Sequence, residues 1–140
     1  MAIAPSSIEN AQDMEVVVSG PGDANRLYLY TGMANFYLAG YTAAVGYPAQ
    51  DSLTFLVGPE FSAGQVKKAI AVGAISAVAG PGPASYDTVS WTVAAAVKSI
   101  DADWDDDSAK VRVTAEVAVW GQSELLQGLG FQVTVLASVP

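Results

Sequence analysis

Cysteine and histidine are both absent from the 140 residues. Without a thiol the chain has no disulfide, no thiolate nucleophile and no thiolate-held zinc or iron–sulfur centre. Without an imidazole it has no Ser/His/Asp triad, no Cys/His dyad and no His-ligated metal, and no side chain whose unperturbed pKa lies near neutrality. The commonest catalytic chemistries are excluded at the level of residue type, and the protein is expected not to be an enzyme. Basic residues are also scarce: six Lys and Arg stand against fourteen Asp and Glu, a net charge of −8. Such a field repels phosphates and anionic lipid, so no nucleic-acid partner is expected. No apolar run reaches the roughly 18 residues of a membrane-spanning helix. The start, Met1-Ala-Ile-Ala-Pro5, has no basic stretch, so neither a span nor a secretory signal is visible, and the compartment stays open. Gly20-Pro21-Gly22 and Gly80-Pro81-Gly82 lack phosphate-loop spacing, and their prolines remove the donors a phosphate needs.

What is present is apolar. Hydrophobic residues make up 51% of the chain and charged ones only 14%, which places it far from the composition of disorder. At this length about two-thirds of the unfolded surface can be buried in one core. With no repeat and no long linker, residues 1–140 read as a single globular domain.

Gly and Pro clusters divide the chain into segments of ordinary element length. Met14 to Ser19 and Asn25 to Thr31 are β-branched or aromatic runs on either side of Gly20-Pro21-Gly22-Asp23, the pattern of a hairpin or of a strand change. Phe36 to Val45 is a further strand candidate. Ser52 to Val57 is a compact apolar strand stopped by Gly58-Pro59. From Val111 to Val119 the odd positions are apolar and the even ones include Arg112, Thr114 and Glu116, the period of a strand with one buried face. Leu129 to Val139 repeats that alternation, as do Trp91 to Val97. After Ser99 the apolar set moves to even positions (Ile100, Ala102, Trp104), and one extra residue shifts a register in this way, so a β-bulge is predicted near Ser99. Residues 88–104, 110–120 and 129–139 are then expected to form an antiparallel meander.

Residues 62–79 admit two readings. Ser62 followed by Gln65 matches a capping box, and Val66, Ala69, Ile70, Gly73, Ala74, Ala77 and Val78 form a stripe at helical spacing. Read as a strand, Val66, Lys68, Ile70 and Val72 share a face that Lys68 spoils. The spacing predicts a helix near residues 63–79, which gives an α+β fold with a predominantly antiparallel sheet; the alternative is an all-β sandwich or barrel.

Two constellations could carry function. Asp101, Asp103, Asp105, Asp106 and Asp107 concentrate five carboxylates in seven residues. The run fails as an EF-hand, because its sixth position is Asp106 instead of Gly and its twelfth is Arg112 instead of Glu. Asp101, Asp103, Asp105 and Asp107 remain candidates for a low-affinity calcium site, set against the simpler reading of Asp105 to Ala109 as a solvated hairpin tip in which Asp and Ser bond their own backbone. No other cofactor is expected. The second constellation is aromatic: Tyr28, Tyr30, Tyr37 and Tyr41 are candidates for an interaction surface, with Tyr28 and Tyr30 on one strand face. The competing reading is that these rings fill the core.

The function expected from these features is a non-enzymatic structural or interaction module that assembles with copies of itself, a homo-oligomer of the virion, tail or filament type. The alternative is a β-rich domain that binds a small ligand or carbohydrate.

Overall fold

The structure is a computed structural model that describes residues 1–19, 24–39, 49–79, 94–120 and 125–138. Its seven strands are β1 (Ile8–Ser19), β2 (Ala24–Ala39), β3 (Ala49–Val57), β4 (Val66–Ala79), β5 (Ala94–Trp104), β6 (Val111–Trp120) and β7 (Leu125–Ser138), preceded by one 3-10 turn, Pro5–Ser7. Four strands form a sheet in the order β1-β2-β7-β4, and three form a second in the order β3-β6-β5. Every pairing between these strands is antiparallel.

The alternation read from the sequence sets the faces. Val111, Val113, Ala115, Val117 and Val119 of β6 are buried, and so are Leu129, Phe131, Val133, Val135 and Ala137 of β7. These two rows face each other across one core that also takes in Leu53, Phe55 and Phe61. The result is an all-β sandwich. The predicted bulge is present: the β5–β6 register slips between Val97 and Ser99. Of the two readings for residues 14–31, the hairpin is the one present, β1 and β2 pairing from Ser19–Ala24 to Ile8–Ala34. Of the candidate strand Phe36 to Val45, residues 36–39 end β2 and the rest lies outside the described residues, as do Trp91 and Val93.

Two expectations are corrected. The meander is broken, because β7 pairs with β2 and β4 in the opposite sheet and not with β6. The helix near residues 63–79 is a strand. Only one half of the capping box forms: Ser62 N–H donates to Gln65 Oε1 (2.8 Å), while Gln65 N–H donates to the Ser62 main-chain carbonyl (2.9 Å), a turn bond, and not to its hydroxyl. The two bonds close an isolated turn, after which Val66, Ile70, Val72, Ile75 and Val78 favour extended backbone and β7 offers a full ladder of partners. A register shift between Val66 and Lys68 sends Lys68, Ile70 and Val72 to the solvent face, where Ile70 is 50% and Val72 56% exposed. The smaller Ala69, Ala71 and Gly73 turn inward. From Lys68 to Gly73, large residues outside and small ones inside invert the usual strand pattern, whereas Val66 and Ile75 pack inward.

The small residues let β4 and β5, edge strands of different sheets, lie against each other. A Cβ built on Gly73 would stand 2.9 Å from Ile100 Cδ1. On the opposite side β1 reaches past the core, and its residues 9–17 are exposed. The far edge of β3 is covered by a short parallel bridge, Ala2 to Thr54. The outer edge of β1 has no partner among the described residues.

Candidate functional site

The splayed side of the sandwich holds a cleft of about 580 Å³ between β1, β2 and the end of β3. The hairpin register sets Asp13 opposite Tyr30 and Glu15 opposite Tyr28, so two carboxylate side chains share one sheet face with two aromatic ones. Tyr28 and Tyr30 lie parallel, with centroids 6.2 Å apart and planes 6° apart, and Tyr28 meets Phe61 edge-on at 5.3 Å. Leu56, Gly58 and Pro59 form the facing wall, and Phe131 lies below. Glu15 is paired with Arg26 at 2.6 Å. Tyr30 is 92% buried by difference from its 8% exposure, and its hydroxyl, tucked against Gly58, has no hydrogen-bond partner. Burial foremost, then the neighbouring Tyr28, Asp13 and Glu15, push the phenol well above its ordinary pKa of 10.0.

Of the expected tyrosine surface, Tyr28 is therefore half-buried on the cleft wall and Tyr30 buried beneath it. Tyr37 stands apart, 65% exposed, its hydroxyl accepting from Gln127 Nε2 at 3.2 Å. Tyr41 lies outside the described residues. Sequence reasoning missed Asp13 and Glu15, although counting back along the hairpin from the Ser19–Ala24 pair places both opposite the tyrosines. It also missed Leu56, Pro59 and Phe131, for which no local signal exists.

The acidic run is split by the strand period. Asp101 and Asp103 are exposed on the outer face of β5, on either side of buried Ala102. Carboxylate oxygens of Asp105, Asp106 and Asp107 come within 4.8 Å of one another, and Asp101 and Asp103 are not of that group. Asp105 is buried and engaged. It accepts from Ser108 Oγ (2.6 Å) and Ser108 N–H (3.1 Å) and pairs with Arg112 at 2.7 Å, while its own N–H donates to Lys110 O across the turn. The Ser108 hydroxyl above all, then the Ser108 N–H and Arg112, hold its carboxyl below the ordinary value of 3.8 against the opposing effect of burial. These are the local Asp and Ser bonds of a hairpin tip. A group whose folded pKa is depressed stabilises the fold above its unfolded pKa and loses that contribution as pH falls. Urea midpoints are therefore expected to drop as pH falls below about 4, and Asp105→Asn should flatten that part of the profile. Identical slopes for the two proteins would contradict this role.

The outer faces of the two sheets differ. On the three-stranded sheet the cross-strand neighbours are Ser52 with Glu116, Thr54 with Thr114 and Asp103 with Arg112, whose other neighbour is the exposed Leu56. On the four-stranded sheet one row runs Val16, Leu27, Leu136, Lys68, the next Met14, Leu29, Thr134, Ile70, and the third, more polar, Gln12, Thr31, Gln132, Val72. Met14 is 59% and Val16 45% exposed.

Fold and surfaces together define a two-sheet antiparallel β-sandwich with an aromatic cleft at its splayed side and an apolar outer face. Comparison with protein-family models, with curated proteins and with solved structures finds no match to this chain. No helix among the described residues is long and apolar enough to cross a membrane.

Proposed function

We propose that this protein is a non-enzymatic structural subunit that assembles with copies of itself, as virion, tail or filament subunits do, through the outer face of the β1-β2-β7-β4 sheet. The observation that carries this reading is the apolar character of that face, with Met14, Val16, Ile70 and Val72 between 45% and 59% exposed, beside a polar face on the other sheet. Strand spacing and rise make it roughly 19 Å by 27 Å, on the order of 500 Å² in plan. Two such faces together enclose on the order of 1,000 Å², where specific interfaces begin.

Charge placement favours a second copy as the occupant. The register puts Glu9 beside Met33 at one corner of the face and Lys68 beside Leu136 at the diagonally opposite corner. A two-fold axis lying between two stacked faces, perpendicular to that diagonal, sets Lys68 of each copy over Glu9 of the other. The unpartnered edge of β1 adds a second contact surface, and two distinct surfaces are what an extended assembly needs.

Sedimentation velocity at micromolar concentration tests this. The wild type is expected at twice the chain mass or more, and the Val16→Lys/Ile70→Lys variant as a monomer with unchanged circular dichroism, since both positions are exposed. A monomeric wild type would sink the proposal.

A further inference from the structure

The cleft lies on the inner side of the β1–β2 hairpin, away from the apolar outer face, so what it binds is independent of self-assembly. Its volume of about 580 Å³ falls within the roughly 300–1,000 Å³ of small-molecule sites. Its charge has one sign. Asp13 and Glu15 line it, and no Lys or Arg does among the described residues. Glu15 is already neutralised by Arg26, whereas Asp13 has no ion pair among the described residues and stands opposite Tyr30. An anionic ligand would meet this charge without a counter-charge.

Apart from the neutral Gln12 and Thr31, the remaining surface is aromatic and aliphatic. A ring face carries negative quadrupole potential, so a cation over Tyr28 and beside Asp13 is attracted twice, and a desolvated contact strengthens both attractions. Leu56, Pro59 and Phe131 would then cover an apolar body. The Tyr30 hydroxyl, buried against Gly58 without a partner, is not offered to a ligand.

We propose that this cleft binds a small organic cation, an alkyl- or aryl-substituted ammonium, with its charged centre between the Asp13 carboxylate and the Tyr28 ring and its apolar part against Leu56, Pro59 and Phe131.

The test is an amide chemical-shift titration of the full chain with benzyltrimethylammonium chloride into the millimolar range, with benzyl alcohol and benzenesulfonate as neutral and anionic counterparts. Shifts at Asp13, Tyr28 and Gly58 are expected for the cation, with weaker binding of the alcohol and none of the sulfonate. Asp13→Asn, at an exposed position that leaves the fold intact, should weaken the cation at least about threefold. Tyr28→Leu, which keeps apolar bulk without a ring face, should do the same by a similar factor, while Tyr28→Phe retains binding. Absence of shifts at these amides, equal binding of benzyl alcohol, or an Asp13→Asn variant that binds as well as the wild type would overturn the proposal.

Discussion

Leu129→Ala is expected to lower the stability of this protein by about 3 kcal/mol, read from the midpoint of a urea titration at constant slope. Leu129 is fully buried on β7, the strand of the four-stranded sheet with β2 on one side and β4 on the other. Its cross-strand neighbours are Ala34 and Ile75. The alanine has no further atoms to move into a void, and both flanking backbones are held by ladder hydrogen bonds, so the site cannot collapse and the cavity cost adds to the lost burial. Against a total of about 5–15 kcal/mol, such a loss is a large share of the stability. Leu56→Ala removes the same atoms from a side chain already 45% exposed and should cost less than about 1 kcal/mol. Equal losses at the two positions would contradict the assignment of the β7 inner face to the core.

Gly58→Ala is expected to cost about 2 kcal/mol or more, and the source of that cost can be separated. Gly58 has φ +81°, where a Cβ is strained, and that Cβ would stand 2.7 Å from Tyr30 Oη and 2.8 Å from Cζ. Tyr30 is held in place by Tyr28 and the core beneath it, so it cannot yield cheaply. Tyr30→Phe by itself should be neutral or stabilising by up to about 1 kcal/mol, because the hydroxyl it removes is buried without a partner. In the double variant the closest of the two clashes is gone, so the combined loss should fall short of the sum of the single effects by about 1 kcal/mol. Strict additivity would mean that backbone strain at Gly58, and not the close approach of the two walls, carries the effect.

Residues 66–79 explain why part of this fold escapes sequence reading. The bond from Ser62 N–H to the Gln65 side chain, one half of a capping box, spans three residues and forms as the local chemistry dictates, beside an ordinary turn bond from Gln65 N–H to Ser62 O. Whether a helix follows depends on what lies alongside, and the long β7 ladder outweighs a single capped turn. The inverted pattern, with Ile70 and Val72 outward, has its reason in the close approach of β5 at Gly73, a contact between residues distant in sequence. The broken meander has the same origin: alternation in residues 129–138 sets which face of β7 is buried but carries no information about which strand it pairs with.

The acidic run and the tyrosines divide along the same line. Asp105 and Ser108 are three residues apart, and their bonds follow from short polar side chains in a tight turn, so the hairpin tip was readable directly. The strand period likewise separates Asp101 and Asp103 from the tip. The cleft at Tyr28 and Tyr30 needed three segments to converge: β1 to bring Asp13, the end of β3 to bring Leu56 and Pro59, and β7 to bring Phe131.

By itself the sequence determined the missing imidazole and thiol chemistry, the buried faces of β6 and β7, the bulge at Ser99 and the turn at Asp105, because each rests on residue type or on neighbours a few positions apart. Only the tertiary structure decided that residues 66–79 are extended, that β7 joins β2 and β4, and that one sheet shows an apolar face while the other side opens on a cleft. Those outcomes depend on pairings across dozens of residues, where the energy of burial is shared between segments and no single segment records it.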